Sequence, residues 1–176
     1  MIEGSNVSLR RLLESDVKEY CRWYGDAVVT RFLCMRPLSR ERAEASFNQM
    51  ISIPAGEYFG ITKTSDGSLK GYIFLRGILR SHRVARELGI VIGDPNEWGQ
   101  GYGTEATRLI LDFGFRKLKP HRVELLVLDY NKRARKAYQK LGFVVEGVQR
   151  EARLIDDKWH DVIQMSILEG EYADGA

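Results

Sequence analysis

Two hydrophobic periodicities follow one another along the chain, and their order predicts a mixed α/β fold. Runs in which apolar residues alternate with polar ones, or follow each other directly, are typical of β-strands. They occupy residues 7–12, 57–62, 69–75, 86–93, 122–128, 143–149 and 159–168. Asp66 and Gly67 predict a hairpin between the second and third runs, and Asp156 and Asp157 join the last two. The run at 122–128 is almost continuously apolar, which favours a parallel strand with both faces covered.

Four further segments carry apolar residues at helical spacing, which predicts amphipathic helices. Their stripes are Val17/Tyr20/Cys21/Tyr24, Ala43/Phe47/Met50/Ile51, Ala106/Leu109/Ile110/Phe113 and Ala134/Ala137/Tyr138/Leu141. Ser15 or Asp16 can cap the first helix and Ser39 the second, which Pro54 would end, while Gly142 suits the end of the last helix. The predicted order is β-α-α-β-β-β-α-β-α-β-β, a mixed sheet in one domain.

Length, composition and charge restrict the classes of protein that this chain can represent. It has 176 residues, 44% hydrophobic and 29% charged, which suits a single domain over residues 1–176. The net charge of +3 gives no general affinity for nucleic acid. Cys21 and Cys34 match no metal-site spacing, so neither a disulfide framework nor a metal is expected. Charges interrupt the N-terminal segment and no apolar run approaches the ~20 residues that span a bilayer, so we expect a cytoplasmic protein without membrane contact.

The stretch WGQGYGTEA places three glycines directly before the third predicted helix. A helix begins with unpaired N–H groups and a partial positive charge, and glycine lets a ligand approach the backbone closely. Gly99, Gly101 and Gly103 therefore predict an anion site, most simply for a phosphate group. A tight strand-to-helix turn without a ligand is the alternative. The spacing matches neither the nucleotide-binding Walker motif nor the dinucleotide fingerprint G-x-G-x-x-G.

Two motifs resemble the GCN5-related N-acetyltransferase (GNAT) superfamily. WGQGYGTEA is similar to its acyl-CoA loop, whose pattern Gln/Arg-x-x-Gly-x-Gly/Ala falls on Trp98, Gly101 and Gly103, with Trp98 departing from the usual first residue. NKRARKAYQKLGFVVEG, residues 131–147, is similar to a second motif of the branch that resembles ribosomal-protein alanine and spermidine acetyltransferases. The closing run WHDVIQMSIL also resembles that branch. Together the resemblance covers roughly residues 7–172.

The resemblance implies a GNAT-like α/β fold: a mixed, splayed central sheet flanked by helices on both faces. The splay would fall between the runs at 86–93 and 122–128, and the pantetheine arm of acetyl-CoA would lie in the gap. Gly89 and Gly93 suit a bulge or a close ligand approach there. The implied cofactor-binding residues are Ile90, Val91, Ile92, Trp98, Gly99, Gln100, Gly101, Tyr102, Gly103, Thr104, Asn131, Arg135, Lys136 and Tyr138.

Acetyl transfer to an amine needs a base for the amine, stabilisation of the carbonyl oxygen and a proton for the departing thiolate. By resemblance Tyr138 is the proton donor, although its place on an apolar stripe also fits a core aromatic. Glu87, on the strand expected to line the acyl site, is the candidate base or amine ligand, or else a solvated strand-end residue. Glu57 and His82 are weaker candidates.

The remaining candidates each have a simple structural alternative. Asn131 would cap its helix and also bond the pantetheine arm, or serve as a cap alone. The cations of residues 132–140, among which Arg135 or Lys136 is the preferred ligand of the 3′-phosphate, could equally be a solvated face. His121 is expected to be structural. The acceptor pocket is expected from the first two helices and the final hairpin, including Trp23, Tyr24, Phe32, Trp159 and His160.

The sequence therefore predicts an acetyl-CoA-dependent N-acetyltransferase that acts on a primary amine by direct attack in a ternary complex. A polyamine, an amino sugar, an antibiotic and a protein N-terminus all remain open as acceptors. A non-catalytic acyl-CoA-binding sensor or interaction module is the alternative on the same fold. A nucleic-acid-binding domain is disfavoured because aromatic residues other than Tyr138 do not interleave with the basic helix. A homodimer is an open expectation.

Overall fold

The structure, a computed structural model, describes residues 1–52 and 56–174. Its strands are β1 Val7–Arg11, β2 Gly56–Lys63, β3 Leu69–Leu79, β4 Val84–Ile92, β5 Arg122–Leu128, β6 Val144–Ile155 and β7 Lys158–Leu168. They form one seven-stranded sheet in the order β1-β2-β3-β4-β5-β7-β6. Each neighbouring pair is antiparallel except β4 and β5, which are parallel. The predicted mixed sheet is confirmed.

The helices are α1 Val17–Tyr24, α2 Ala27–Thr30, α3 Arg40–Ser52, α4 Tyr102–Phe113, α5 Lys132–Lys140 and α6 Glu169–Asp174. A π-helical turn, Gly114–Leu118, extends α4, and short 3₁₀ turns cover Glu14–Asp16, Arg31–Leu33, Arg80–His82 and Pro95–Glu97. The four predicted helices correspond to α1, α3, α4 and α5. No helix within residues 1–52 and 56–174 combines the length and apolar character that crossing a bilayer requires.

Two apolar clusters cover opposite faces of the sheet, as expected from the resemblance. On one face α4 and α5 pack on all the strands except the outermost, β6, with Ile110, Leu125 and Met165 nearly inaccessible. On the other face α1, α2 and α3 cover β3 and β4, and here the core is aromatic, with Trp23 and Phe47 buried at its centre. The second cluster covers only the N-terminal half of the sheet, so β5, β7 and β6 have one face without a helical layer.

That uncovered face corrects one expectation about β5. Its near-continuous apolar sequence predicted a parallel strand with both faces covered, yet Leu126 is 49% exposed. The reason is topological: β5 pairs antiparallel with β7 along its whole length and parallel with β4 at only two positions. Leu126 therefore lies on the same face of the sheet as α1–α3 but beside those helices, where about half of it stays open to solvent.

The parallel strands β4 and β5 separate almost at once, which confirms the predicted splay. Val84 pairs with Arg122 and Ala85 with Val123, and no further pairing follows. The rest of β4 keeps its ladder with β3 up to Ile92 but has a free edge on the β5 side. An unpaired edge inside a sheet leaves backbone N–H and C=O groups available to a ligand.

Other local differences have simple causes. Asp16 stands at the start of α1 but does not cap it, because its carboxylate accepts from Leu13 N at 2.8 Å and binds Arg10. Ser39 accepts weakly from Arg42 N at 3.4 Å in α3, whose predicted end at Pro54 lies outside the described residues. Elements α2 and α6 were not predicted, since helices this short carry little periodicity.

Gly89 and Gly93 serve a purpose other than the predicted one. A Cβ atom built on Gly89 would lie 2.2 Å from the Phe74 ring, and one on Gly93 would lie 2.0 Å from the Trp23 indole. The glycines therefore admit buried aromatic rings of the second cluster against the backbone of β4 and the residue that follows it. The predicted close approach exists, but the approaching group is protein.

Candidate active site

A cavity of about 400 Å³ opens beside the free edge of β4 and meets the start of α4. This cofactor cavity is lined by most of the residues implied for cofactor binding: Ile90, Val91, Ile92, Trp98, Gly99, Gly101, Tyr102, Gly103, Thr104, Asn131, Lys136 and Tyr138. Gln100 and Arg135 belong to the same segments but do not line it. The Gln100 amide instead donates to Asn96 O at 3.2 Å.

Backbone conformation explains the glycines at the start of α4. Gly99 and Gly101 have φ of 85° and 87°, values in the left-handed region that favours glycine. Gly101 occupies the N-cap position of α4 and has no side chain with which to cap it, so the first N–H groups of the helix face the cavity without a side-chain acceptor. Gly103 has ordinary helical geometry, and its missing side chain leaves space against Ile90 and Ile92.

An aromatic and cationic cluster forms one wall of the cofactor cavity. The Trp98 indole N–H donates to Ile92 O at 2.8 Å, which ties the glycine loop to the end of β4. Arg133 stacks over the Trp98 ring at 4.1 Å, and Phe32 meets the same ring edge-on at 5.4 Å. Burial lowers the pKa of Arg133. Both Arg133 and Phe32 line the cavity but were absent from the predicted set.

Helix α5 brings three cations and two functional candidates to the cofactor cavity. Asn131 caps the helix, accepting from Ala134 N at 3.2 Å, and also lines the cavity, so capping and ligand contact are compatible roles. Arg133, Lys136 and Lys140 line the cavity, whereas Lys132 and Arg135 do not. Of the two cations preferred from sequence, Lys136 is therefore the one that faces the cavity.

Tyr138 lies where the cofactor cavity meets a second one. Its side chain is only 7% exposed, and burial raises the pKa of its hydroxyl to about 12. Within the described part of the chain no protein group hydrogen-bonds to this hydroxyl. The ring packs in the first apolar cluster at 5.7 Å from Phe143, so Tyr138 is a core aromatic whose place at the cavities is also compatible with the predicted role of proton donor.

The second cavity, the acceptor cavity, has a volume of about 610 Å³ and lies between the sheet and α1–α3. Both volumes fall in the range of small-molecule sites. The two cavities share Phe32, Leu33, Ile90, Val91, Asn131 and Tyr138. They are therefore adjoining parts of one cleft, arranged so that a group in the first can reach a group in the second at Tyr138.

Aromatic residues dominate the acceptor cavity. Tyr20 and Tyr24 stack at 4.1 Å, and Tyr58 lies 5.5 Å from Phe74. The hydroxyls of Tyr24 and Tyr72 hydrogen-bond to each other, and burial raises the pKa of both. Both tyrosines therefore stay protonated and neutral at physiological pH.

Glu87 lines the acceptor cavity, but both of its oxygens already have a partner. Arg76 Nε donates to Oε2 and Arg76 Nη2 to Oε1, each at 2.6 Å, and this bidentate pair raises the pKa of Arg76. The pair is partly exposed, with 40% of the Glu87 side chain accessible. A carboxylate oxygen has two lone pairs, so Glu87 can still accept from a substrate ammonium group.

Several other candidates lie away from both cavities. Glu57 pairs with Arg11 at 2.6 Å, and His82 belongs to the 3₁₀ turn after β3.

Of the residues expected to shape the acceptor pocket, Tyr24 and Phe32 line it, whereas Trp23, Trp159 and His160 do not. His160 instead contacts Asp129 at 3.2 Å, while His121 is 3.9 Å from Glu169. Among the described residues no group of three or more His, Cys, Asp or Glu is placed to hold a metal ion.

The family model described as acetyltransferase (GNAT) domain matches residues 6–144. The chain belongs to the GNAT acetyltransferase family. The spermidine N(1)-acetyltransferase of Escherichia coli K12 is 36% identical over 107 residues, which are 61% of this chain and 56% of that protein. An uncharacterized N-acetyltransferase of Bacillus licheniformis, p20, is 27% identical over 172 residues, 95% of each chain.

Solved structures agree with the family assignment. The spermidine N-acetyltransferase of Vibrio cholerae in complex with CoA and spermine superimposes with a TM-score of 0.87 at 28% identity, covering 97% of this chain and 99% of that one. The predicted family, fold and enzyme class are thereby confirmed: the chain is a GNAT N-acetyltransferase, and its acyl donor is acetyl-CoA.

Proposed function

We propose that residues 1–176 form one domain that transfers the acetyl group of acetyl-CoA to a primary amine in a ternary complex. The observation that carries this proposal is the junction of the two cavities at Tyr138. A cofactor in the first cavity and an amine in the second would meet without crossing protein. Direct attack needs this geometry, whereas a covalent enzyme intermediate would need a nucleophile at the junction.

In this proposal the cofactor is held mainly by backbone groups. The pyrophosphate lies on the N–H groups from Gly99 to Thr104, where the helix start supplies a partial positive charge. The pantetheine arm adds a strand-like partner to the free edge of β4 at Ile90–Ile92, and Asn131 contacts it from α5. Lys136 lies close enough to the cavity to meet the 3′-phosphate.

The chemistry then needs two proton transfers. The neutral amine attacks the thioester carbonyl carbon, and N–H groups on the free edge of β4 stabilise the oxyanion. As the C–S bond breaks, Tyr138 donates its proton to the thiolate. A pKa of about 12 keeps the proton on Tyr138 at neutral pH. A thiol is more acidic, with a pKa near ~8.5, so the transfer from Tyr138 to the thiolate is unfavourable by itself. The proton that the amine releases therefore returns to Tyr138 through solvent and completes the step. Glu87 is proposed to bind the incoming ammonium group or accept its proton.

The substrate of relatives gives a starting point for the acceptor. The Escherichia coli and Vibrio cholerae relatives are named spermidine N-acetyltransferases, so spermidine, spermine and simple monoamines form the first panel. We also propose a cytoplasmic location, without nucleic-acid or membrane contact, and a homodimer remains a prediction.

Thiol release from acetyl-CoA, followed with that panel and with peptides bearing a free N-terminus, tests the proposed function. We expect release that depends on both amine and enzyme and that Tyr138→Phe suppresses. A sensor on the same fold would bind acetyl-CoA with unchanged affinity in calorimetry yet release no thiol with any amine, and that result would replace the enzyme proposal.

A further inference from the structure

The charges on the walls of the acceptor cavity do not suit a polycation. The ionic side chains that line it, within the described residues, are one carboxylate, Glu87, and two guanidinium groups, Arg76 and Arg153. Ser46 and Gln49 are neutral. The wall therefore carries more positive than negative charge, the reverse of what several ammonium groups would need.

Arg76 neutralises the single carboxylate. The bidentate contact at 2.6 Å leaves Glu87 able to accept from one further donor on each oxygen, enough for one ammonium group. Any second ammonium group on the same acceptor would have to lie near Arg76 or Arg153, and like charges at such distances repel by ~1–4 kcal/mol, depending on exposure. Glu87 thus matches an acceptor with one positive charge.

Arg153 is held at the cavity without an acidic partner. Its Nη1 donates to Ala152 O at 2.8 Å, and no carboxylate in the described chain lies within ion-pair distance. The strand around it is irregular: the register of β6 shifts between Gln149 and Arg153, and Glu151 takes a φ of 49° while its N–H donates to Asp161 Oδ1 at 2.8 Å. A left-handed non-glycine residue costs energy, and the contact with Asp161 stabilises this bulge directly before Arg153.

Aromatic rings form much of the remaining wall of the cavity. The stacked pair Tyr20 and Tyr24 and the neighbouring Tyr58 and Phe74 present ring surfaces, and the Tyr24 hydroxyl is already bonded to Tyr72. Rings of this kind pack well against a flat apolar body. A ring of this kind can also attract a cation by about 0.5–2 kcal/mol, but Arg76 already lies over the Phe74 ring at 5.0 Å.

Resting on the proposed function, we infer that the acceptor is a monoamine with an aromatic or apolar body and an anionic group remote from the amine, and that polyamines are poor acceptors. The amine lies by Glu87 and Tyr138, the body lies among the tyrosines, and the anion pairs with Arg153. Spermidine is disfavoured because its additional ammonium groups, with pKa values near ~10, would lose hydration beside arginines instead of carboxylates.

Three amines distinguish these possibilities: 2-phenylethylamine, its para-carboxylate 4-(2-aminoethyl)benzoate, and spermidine. With saturating acetyl-CoA, we expect kcat/KM to be highest for the carboxylate, about fivefold lower for 2-phenylethylamine, as an exposed ion pair allows, and lowest for spermidine. Binding of each amine to the CoA-loaded protein, measured by calorimetry, should follow the same order and does not depend on turnover.

Arg153→Gln should lower kcat/KM for the carboxylate about fivefold relative to that for 2-phenylethylamine, and so remove the preference for the carboxylate. Arg150→Gln is the matched control, since Arg150 is an exposed arginine on the same strand that does not line the cavity. Acetyl-CoA affinity should stay the same in both variants, which shows that each is folded.

Higher kcat/KM or tighter binding for spermidine than for both aromatic amines would overturn the inference and leave the proposed function intact. An unchanged carboxylate preference in Arg153→Gln would also overturn it. If no amine releases thiol, the proposed function fails, and the calorimetric order of the three amines still decides whether the cavity prefers an anionic monoamine.

Discussion

The two cavities of this enzyme are built by different means. The cofactor cavity takes much of its lining from two continuous segments, the glycine loop with the start of α4 and the start of α5. The acceptor cavity collects side chains from α1, α3, β2, β3, β4, β5 and both strands of the final hairpin. The first cavity offers backbone N–H groups and a helix start to the proposed cofactor, and the second offers side chains to the proposed acceptor. The difference teaches that the proposed cofactor site is a local property of the chain, whereas the proposed acceptor site is a property of the assembled fold.

Both cavities carry more positive than negative charge on their walls, and the excess is larger in the cofactor cavity. Arg133, Lys136 and Lys140 line the cofactor cavity, and its one carboxylate, Glu97, pairs with Lys70 at 2.6 Å. That excess of positive charge suits the phosphates of CoA. Changes in one cavity should therefore alter the affinity for one substrate only, while changes at their junction should alter turnover.

The largest effect on acetyl-CoA affinity should come from a negative charge in the glycine loop. Gly103→Asp places a carboxylate at the phosphate site without backbone strain, because Gly103 is helical and its Cβ would meet only Ile90 and Ile92 at 3.8 Å. We expect acetyl-CoA affinity to fall at least ~100-fold through repulsion of the phosphates. Calorimetry with acetyl-CoA measures this loss.

An aspartate in the first turn of a helix normally stabilises it, so misfolding would not explain that loss. Gly147→Asp, at a position on β6 with open space around it, is the control and should bind acetyl-CoA as the wild type does. Wild-type affinity in Gly103→Asp would show that the loop is a structural turn only.

Tyr138→Phe tests the junction of the two cavities and should change turnover alone. The ring and its packing remain, and losing a general acid typically lowers the rate ~10²–10⁴-fold. Acetyl-CoA affinity should be unchanged. Tyr172→Phe, which removes a hydroxyl bonded to Asp112 at 2.9 Å and far from both cavities, should keep full turnover.

The pH dependence of the wild type tests the same role. Burial raises the pKa of Tyr138 to about 12, so the donor form persists as pH rises and is lost only near that value. Between pH 7 and about 10, kcat should therefore show no decrease caused by deprotonation of the Tyr138 hydroxyl. A falling limb in that range that disappears in Tyr138→Phe would contradict the assignment.

Sequence reasoning reached the cofactor cavity because its signals are short-range. Positive φ at Gly99 and Gly101, the cap at Asn131 and the tyrosine seven residues later all lie within short windows. The same reasoning placed Phe32 only in the acceptor pocket, since nothing near it in sequence indicates that the turn after α2 also meets Trp98 edge-on at 5.4 Å. Arg133 was inside a recognised basic run, but only the fold shows which cations turn inward.

The acceptor cavity was harder to predict for the same reason. Tyr20, Tyr58 and Tyr72 come from three separate elements and gave only a core-like pattern in the sequence. Trp159 and His160 were expected in the pocket because they belong to the final hairpin, yet Trp159 is 56% exposed, and Arg153 after the β6 bulge lines the cavity instead. A bulge of this kind produces no recognisable periodicity in the sequence.

Glu87→Gln tests the acceptor side with an intermediate effect. The amide keeps the shape of the carboxylate but removes its charge, so we expect kcat/KM for the amine to fall about tenfold, as the loss of a charge-assisted hydrogen bond allows. The deficit should shrink as pH rises towards ~10 and more amine is unprotonated. Arg76→Gln frees Glu87 and should strengthen binding of the amine. A wild-type pH–rate curve in Glu87→Gln would make Glu87 a strand-end surface residue.

The smallest expected effect distinguishes the cations of α5. Lys136 lines the cofactor cavity and Arg135, one residue earlier, does not, so the pair forms its own control. If Lys136 contacts the 3′-phosphate, Lys136→Ala should lower the affinity for acetyl-CoA about three- to fivefold at low salt, as a partly exposed ion pair allows. The affinity for 3′-dephospho-acetyl-CoA should stay the same. Added salt should reduce the difference. Arg135→Ala should bind both forms as the wild type does. Equal effects of the two substitutions on both ligands would make these cations a solvated face of α5, and the positive charge at the cofactor cavity would then rest on Arg133 and Lys140.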